Sequence, residues 1–251
     1  MGTSTSSKGP NNRSPLVPPW ADVDGGGPGP QPEPNRFKGF RTSLGRFVAS
    51  GDSAELRKGL RAYARTSVGG SAVGARRFGA MAQAGAGLFN ALEALRANPA
   101  TAPFNLGALA GQSTREVINA LVEALVPVNG DAERIRVALN EALASCLEGQ
   151  DAFDVSTITD ELLVQLMVAY TALCVFEQVI LDSSDAFAKA NSSQEAKAAE
   201  DELWVLVQTA TDKHMQPLLQ DRIGAMTEDD MQRAQVRAIR EVLHEWEGFQ
   251  P

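Results

Sequence analysis

From Ser113 onward, apolar residues recur at helical spacing with little interruption, and no alternating strand pattern of useful length occurs anywhere in the chain. Val117, Ile118, Leu121 and Leu125 share one face behind Ser113-Thr114-Arg115-Glu116, a capping box that marks a helix start. After an Asn129-Gly130 turn, with Asp131 as the expected cap, Ile135, Leu139, Leu143 and Leu147 form a second stripe. The most hydrophobic helix is expected over residues 156–182, and another from about Ser193 to Gln216, stopping at Pro217. The last begins at Thr227-Glu228-Asp229-Asp230 and reaches Trp246. Upstream, Asp52 or Ser53 caps a helix to about Thr66, and an Ala/Gly-rich helix over about 72–97 ends at Asn98-Pro99. The pattern predicts an all-α bundle of about seven helices.

The stretch from Leu162 to Phe176 is apolar enough to raise the question of a membrane span, with only Gln165 as a strongly polar interruption. Its length of about fifteen residues falls short of the ~20 a span needs, and Asp160, Glu161 and Glu177 bracket it. A central buried helix is the expectation, and no membrane partner.

Residues 1–35 are different in kind. They are mostly Gly, Pro, Ser, Thr and Asn, too poor in apolar surface to offset the entropy of ordering, so this arm is expected to be disordered when alone. Two islands stand out within it. At Met1-Gly2-Thr3-Ser4-Thr5-Ser6-Ser7, the small residue at position 2 favours removal of Met1 and leaves a free glycine amine on a tether. The same residues fit the short Met-Gly-x-x-x-Ser lipidation pattern, which recurs often by chance and is the lesser reading. At Leu16-Val17-Pro18-Pro19-Trp20, the prolines favour an extended backbone and Trp20 offers a large anchor, as in a linear docking motif. Either the chain's own body or a partner covers that tryptophan, and a partner is the favoured reading.

Charge divides the rest. Residues 1–98 hold 13 Lys and Arg against 6 Asp and Glu, whereas residues 99–251 hold 10 against 25. The organisation expected is therefore an arm over 1–35, a basic helical segment over 36–98 and an acidic helical domain over 99–251. Within 36–77, ten basic residues are interleaved with Phe37, Phe40, Phe47 and Tyr63, the mixture that binds phosphates and stacks bases. Arg41, Arg46, Arg76 and Arg77 are the candidates for an anion or a nucleic acid. Gly69-Gly70-Ser71 ahead of a helix start can cradle a phosphate, although no Gly-Lys-Ser/Thr follows to make a Walker motif. The competing reading pairs these arginines with the acidic half or an acidic partner, and gives the small residues a packing role.

Nothing in the chain reads as catalytic. His214 and His244 have no Cys or His partner at ligand spacing, so neither metal nor cofactor is expected. Cys146 and Cys174 lie inside apolar helical patterns without a neighbouring base, as packed core thiols do. Two cysteines and an arm without an apolar stretch point to a cytoplasmic protein, and the chain is expected not to be an enzyme.

Taken in order, Met1 to Ser7, Pro15 to Trp20, Thr42-Ser43-Leu44-Gly45-Arg46-Phe47, Gly69-Gly70-Ser71 and Arg76-Arg77 resemble the QatB proteins of bacterial Qat anti-phage defence systems. The resemblance is carried by about the first 80 residues. It implies a QueC-like enzyme as partner, with an ATPase and a TatD-like nuclease in the same system. QueC enzymes activate the carboxylate of a deazaguanine with ATP and then admit ammonia, a place that a primary amine can take. The resemblance thus makes Gly2, with Thr3 and Ser4 beside it, the group inserted into that enzyme, and Leu16 to Trp20 the contact. Two other readings remain open: a purely structural adaptor of the complex, and a nucleic-acid sensor acting through the basic segment.

Overall fold

A computed structural model of the chain describes residues 11, 13–22, 29–109, 111–149 and 151–250. Among them are nine α-helices and no strand: α1 (Lys38–Ser50), α2 (Ser53–Ala62), α3 (Ser71–Arg76), α4 (Gly79–Ala97), α5 (Thr114–Leu125), α6 (Ala132–Cys146), α7 (Asp160–Ser183), α8 (Ser193–Leu219) and α9 (Glu228–Glu247). The all-α class holds, with two more helices than the periodicity indicates. One is α1, which has no side-chain cap at Phe37 and whose Gly39 and Gly45 speak against a helix; burial of Phe40, Leu44, Phe47 and Val48 holds it. The other arises because the expected 72–97 helix breaks at Arg77-Phe78, where Phe78 is fully buried and Arg77 turns to α6.

Most of the helix starts follow the side chains that mark them. Asp52 accepts from the Ala54 amide at 2.9 Å, and Thr159 accepts from the Leu162 amide at 3.2 Å. Ser113 with Glu116, and Thr227 with Asp230, close reciprocal capping boxes. Among the starts marked by a capping residue type, Asp131 differs: it sits at the cap position of α6 but makes no capping hydrogen bond, because its carboxylate is drawn to two arginines. At the other end, α8 runs through Pro217 to Leu219. Pro217 leaves the Lys213 carbonyl without its helical donor, but the helix continues only two residues further, and full burial of Leu219 keeps that turn helical.

The centre of the core is α7, packed by α4, α6, α8 and α9. It has 24 residues and its most apolar 18-residue window has a mean hydropathy of 1.7, long and apolar enough to cross a membrane, yet 72% of that window is buried inside the protein. Tyr170 on α7 donates to the Met81 carbonyl of α4 at 2.7 Å, and Gln235 on α9 donates to the Ala82 carbonyl at 2.9 Å. Gly85 makes this convergence geometrically feasible: a Cβ there would lie 2.4 Å from the Tyr170 ring and 2.3 Å from Gln235 Oε1. Here the Ala/Gly richness of α4 serves close packing.

One hydrophobic cluster runs from Phe37 beside α1 to Trp246 in α9, so the boundary at residue 98 divides charge without dividing the core. At its edge, α2 widens into a π-helical turn over Tyr63–Ser67. That turn puts the Tyr63 hydroxyl 2.8 Å from Asp182 Oδ2, and Arg41 Nε donates to the Asp182 carbonyl at 2.8 Å. Burial pushes the Asp182 carboxyl up from its usual value.

Candidate functional site

The described part of the arm is not detached from the body. Asn11 Oδ1 accepts from the amides of Arg13 and Ser14, at 2.8 and 3.0 Å, and starts a turn that leads into Leu16. Leu16 is only 7% exposed and lies on Gly69, in the left-handed region at φ +79°; a Cβ at Gly69 would come within 2.7 Å of Leu16 Cδ1. Two residues later the chain turns, with the Ala21 amide donating to the Pro18 carbonyl at 3.0 Å, and Ala21 becomes fully buried. The Trp20 ring covers Gly130 in the turn before α6, where a Cβ would meet Cζ2 at 2.4 Å. Asp22 then receives two hydrogen bonds from Arg76, from Nε at 3.1 Å and Nη2 at 2.7 Å. Residues 13–22 thus form a strap across α3 and the α5–α6 turn.

The strap answers part of the arm's expected disorder with a physical reason. Leu16, Ala21 and half of Trp20 bury apolar surface that the arm could not bury by itself, and the Arg76–Asp22 pair fixes its end. Trp20 keeps 45% of its surface exposed, so its second face is open to solvent. Gly2, Thr3 and Ser4 lie outside the described residues.

Beside the strap, Arg77 donates to both oxygens of Asp131, at 3.1 and 3.0 Å, and Arg134 pairs with the same carboxylate. Asp131 is fully buried; burial alone would raise its pKa, but the two guanidinium groups outweigh it and hold the carboxyl below its usual value. Of the four candidate arginines, then, Arg76 holds the strap and Arg77 holds α6. Arg41 is tied to the end of α7 and stacks 4.6 Å from the Phe37 ring centroid, while Arg46 is exposed with Glu55 3.7 Å away. The structure does not bring the four together into one surface. The glycine cradle is filled as well: the Ser71 amide donates to Glu247 Oε1 at 2.6 Å, so a carboxylate of the chain takes the place of the envisaged phosphate.

What the charge count conceals is a basic groove between α3 and α9. Arg76 forms one side of it, and Arg233, Arg237 and Arg240 the other. Their i, i+4, i+7 spacing was the available signal, and it was hidden because α9 belongs to the acidic half.

Among the described residues no group of three or more His, Cys, Asp or Glu side chains is placed to hold a metal ion. His214 Nε2 lies 2.8 Å from Glu245, and His244 Nδ1 lies 3.3 Å from Glu247. Both cysteines are free, and burial pushes the Cys174 thiol up to about 12.

These features define a helical, single-core protein that clamps its own amino-terminal strap. A family model described as Qat anti-phage system associated protein QatB matches residues 69–245. The chain belongs to the QatB family and is a component of a Qat anti-phage defence system, with partners within that system. The match covers the helical body from Gly69 onward, whereas the motifs that carry the sequence resemblance lie mostly ahead of it. Neither a curated protein nor a solved structure matches the chain.

Proposed function

We propose that the chain is the non-catalytic, cytoplasmic component that binds a QueC-like enzyme and presents Gly2 to it, as the amine acceptor for a deazaguanine-type base. An ATPase and a TatD-like nuclease complete the set of partners. The observation that carries this reading is the seating of Leu16 to Asp22, which gives the tether a fixed root. Fourteen residue steps separate Gly2 from Leu16, a reach of at most ~50 Å. That is shorter than a tether rooted at residue 35 and still long enough to enter a neighbouring active site.

The chemistry requires little from this chain. An α-amino group with a pKa near ~8 is substantially unprotonated at cellular pH and attacks an activated carboxyl carbon. The amide bond forms as the bond to the activating group breaks, and the ammonium proton goes to solvent. Gly2, Thr3 and Ser4 are small enough to pass a narrow entrance. The open face of Trp20, next to the strap's root, supplies an apolar anchor for the enzyme that receives them.

Co-purification with the QueC-like partner, read alongside phage protection, tests the reading. Gly2→Glu retains Met1 and so removes the glycine amine; this variant is expected to co-purify normally and to lose protection. Trp20→Ala is expected to weaken co-purification. Full protection by Gly2→Glu would replace the presenter with a structural adaptor.

A further inference from the structure

The groove between α3 and α9 encloses about 920 Å³, with Ala75 and Val236 in its lining. Its four guanidinium groups are unequally engaged. Arg233 reaches Asp230 at 2.8 Å, and Arg240 lies 4.0 Å from Glu241. Arg237 is exposed and has no hydrogen-bond or ion-pair partner among the described residues. Arg76, at the groove's edge, already holds a carboxylate of the proline-rich strap through two hydrogen bonds. The groove therefore displays its own mode of recognition: a guanidinium fork on a carboxylate offered by an irregular, non-helical segment.

We propose that this groove binds an extended acidic peptide segment of a partner protein, with Arg237 and Arg240 receiving its carboxylates. Helical rise separates Arg233 from Arg237 by ~6 Å and Arg237 from Arg240 by ~4.5 Å along the axis, while alternate residues of an extended peptide lie ~6.6 Å apart. The Arg233–Arg237 step is close to that repeat, and the long Arg240 side chain takes up the ~2 Å shortfall of the next. Carboxylates on one face of the peptide can thus meet successive arginines, while Val236 and Ala75 give the aliphatic stems of those acidic side chains an apolar contact. A nucleic acid fits the groove less well. Among the described residues no aromatic side chain lines it for base stacking, and Asp229 adds a negative charge to the lining. Binding of such a segment does not require Gly2 or the enzyme that would receive it.

The test is a fluorescence-anisotropy titration of the full chain with a fluorescein-labelled peptide of alternating glutamate and leucine, at low and high salt. Labelled single-stranded DNA and an alternating lysine–leucine peptide serve as comparisons. The expected result is salt-sensitive binding of the acidic peptide, weakened at least ~10-fold by Arg237→Glu/Arg240→Glu. Both side chains are exposed, so the doubly substituted chain should keep the parent's thermal unfolding midpoint, which is measured alongside. Unchanged binding by that variant, tighter binding of the DNA or the basic peptide, or no binding of the acidic peptide would each overturn the proposal.

Discussion

Gly69 and Leu16 offer the sharpest test of whether the strap is seated as described, because each constrains the other. Leu16→Ala removes three buried carbons, worth about 2 kcal/mol at this level of burial. Gly69→Ala forces an L side chain into φ +79°, which costs about 1 kcal/mol. It also drives a Cβ to within 2.7 Å of Leu16 Cδ1, so the leucine must leave its seat and about the same 2 kcal/mol is lost again. In the double variant the shortened side chain at position 16 leaves room for the new methyl group, and only the backbone strain adds to the missing leucine. The double variant should therefore be less destabilised than the sum of the singles by about 2 kcal/mol. Urea denaturation of the parent and three variants, at an unchanged m-value, measures this coupling. Additivity within about 0.5 kcal/mol would refute the Leu16–Gly69 contact.

Two further outcomes follow from the buried charges. Asp131→Ala strands Arg77 and Arg134, whose side chains are 12% and 13% exposed, and should cost about 3–5 kcal/mol by urea denaturation; a loss under about 1 kcal/mol would contradict the buried triad. Burial, with Glu141 and Glu200 nearby, lifts the Glu177 carboxyl from 4.5 to about 7. The folded state then holds this proton more tightly than the unfolded chain. The stability it confers is complete below about pH 4.5 and is lost as pH rises through about 7, up to about 3 kcal/mol in all. Glu177→Gln should flatten that part of the stability–pH curve and leave the protein more stable than the parent at pH ~8.

The helices with both a cap and an apolar stripe were legible in the sequence, as at Ser113-Glu116 and Thr227-Asp230, because both signals are local. Where a tertiary contact decided, local signals failed. Phe40, Leu44 and Phe47 make α1 a helix despite two glycines and no side-chain cap, and Arg77 breaks the Ala/Gly-rich run to reach Asp131. Asp131 has the residue type and position of a helix cap, yet a buried pair with two arginines binds its carboxylate more strongly than a backbone amide would. For the candidate site, Leu16 to Trp20 were recognisable as an anchor, but Gly69 and Gly130 as its seats involve separations of 53 and 110 residues, which no spacing rule encodes. The net sign of a segment points to Arg76 and Arg77, which make internal ion pairs, and away from Arg237 and Arg240, which face the groove from a helix of the acidic half.

The most direct measurement is the mass of the amino-terminal peptide, from the chain purified alone and after co-expression with a QueC-like partner. An adduct on Gly2 with the mass of a deazaguanine-type base, present only after co-expression, is the expected result. A bare glycine in both preparations, from a complex that has formed and is stable, would contradict presentation of Gly2 as a substrate.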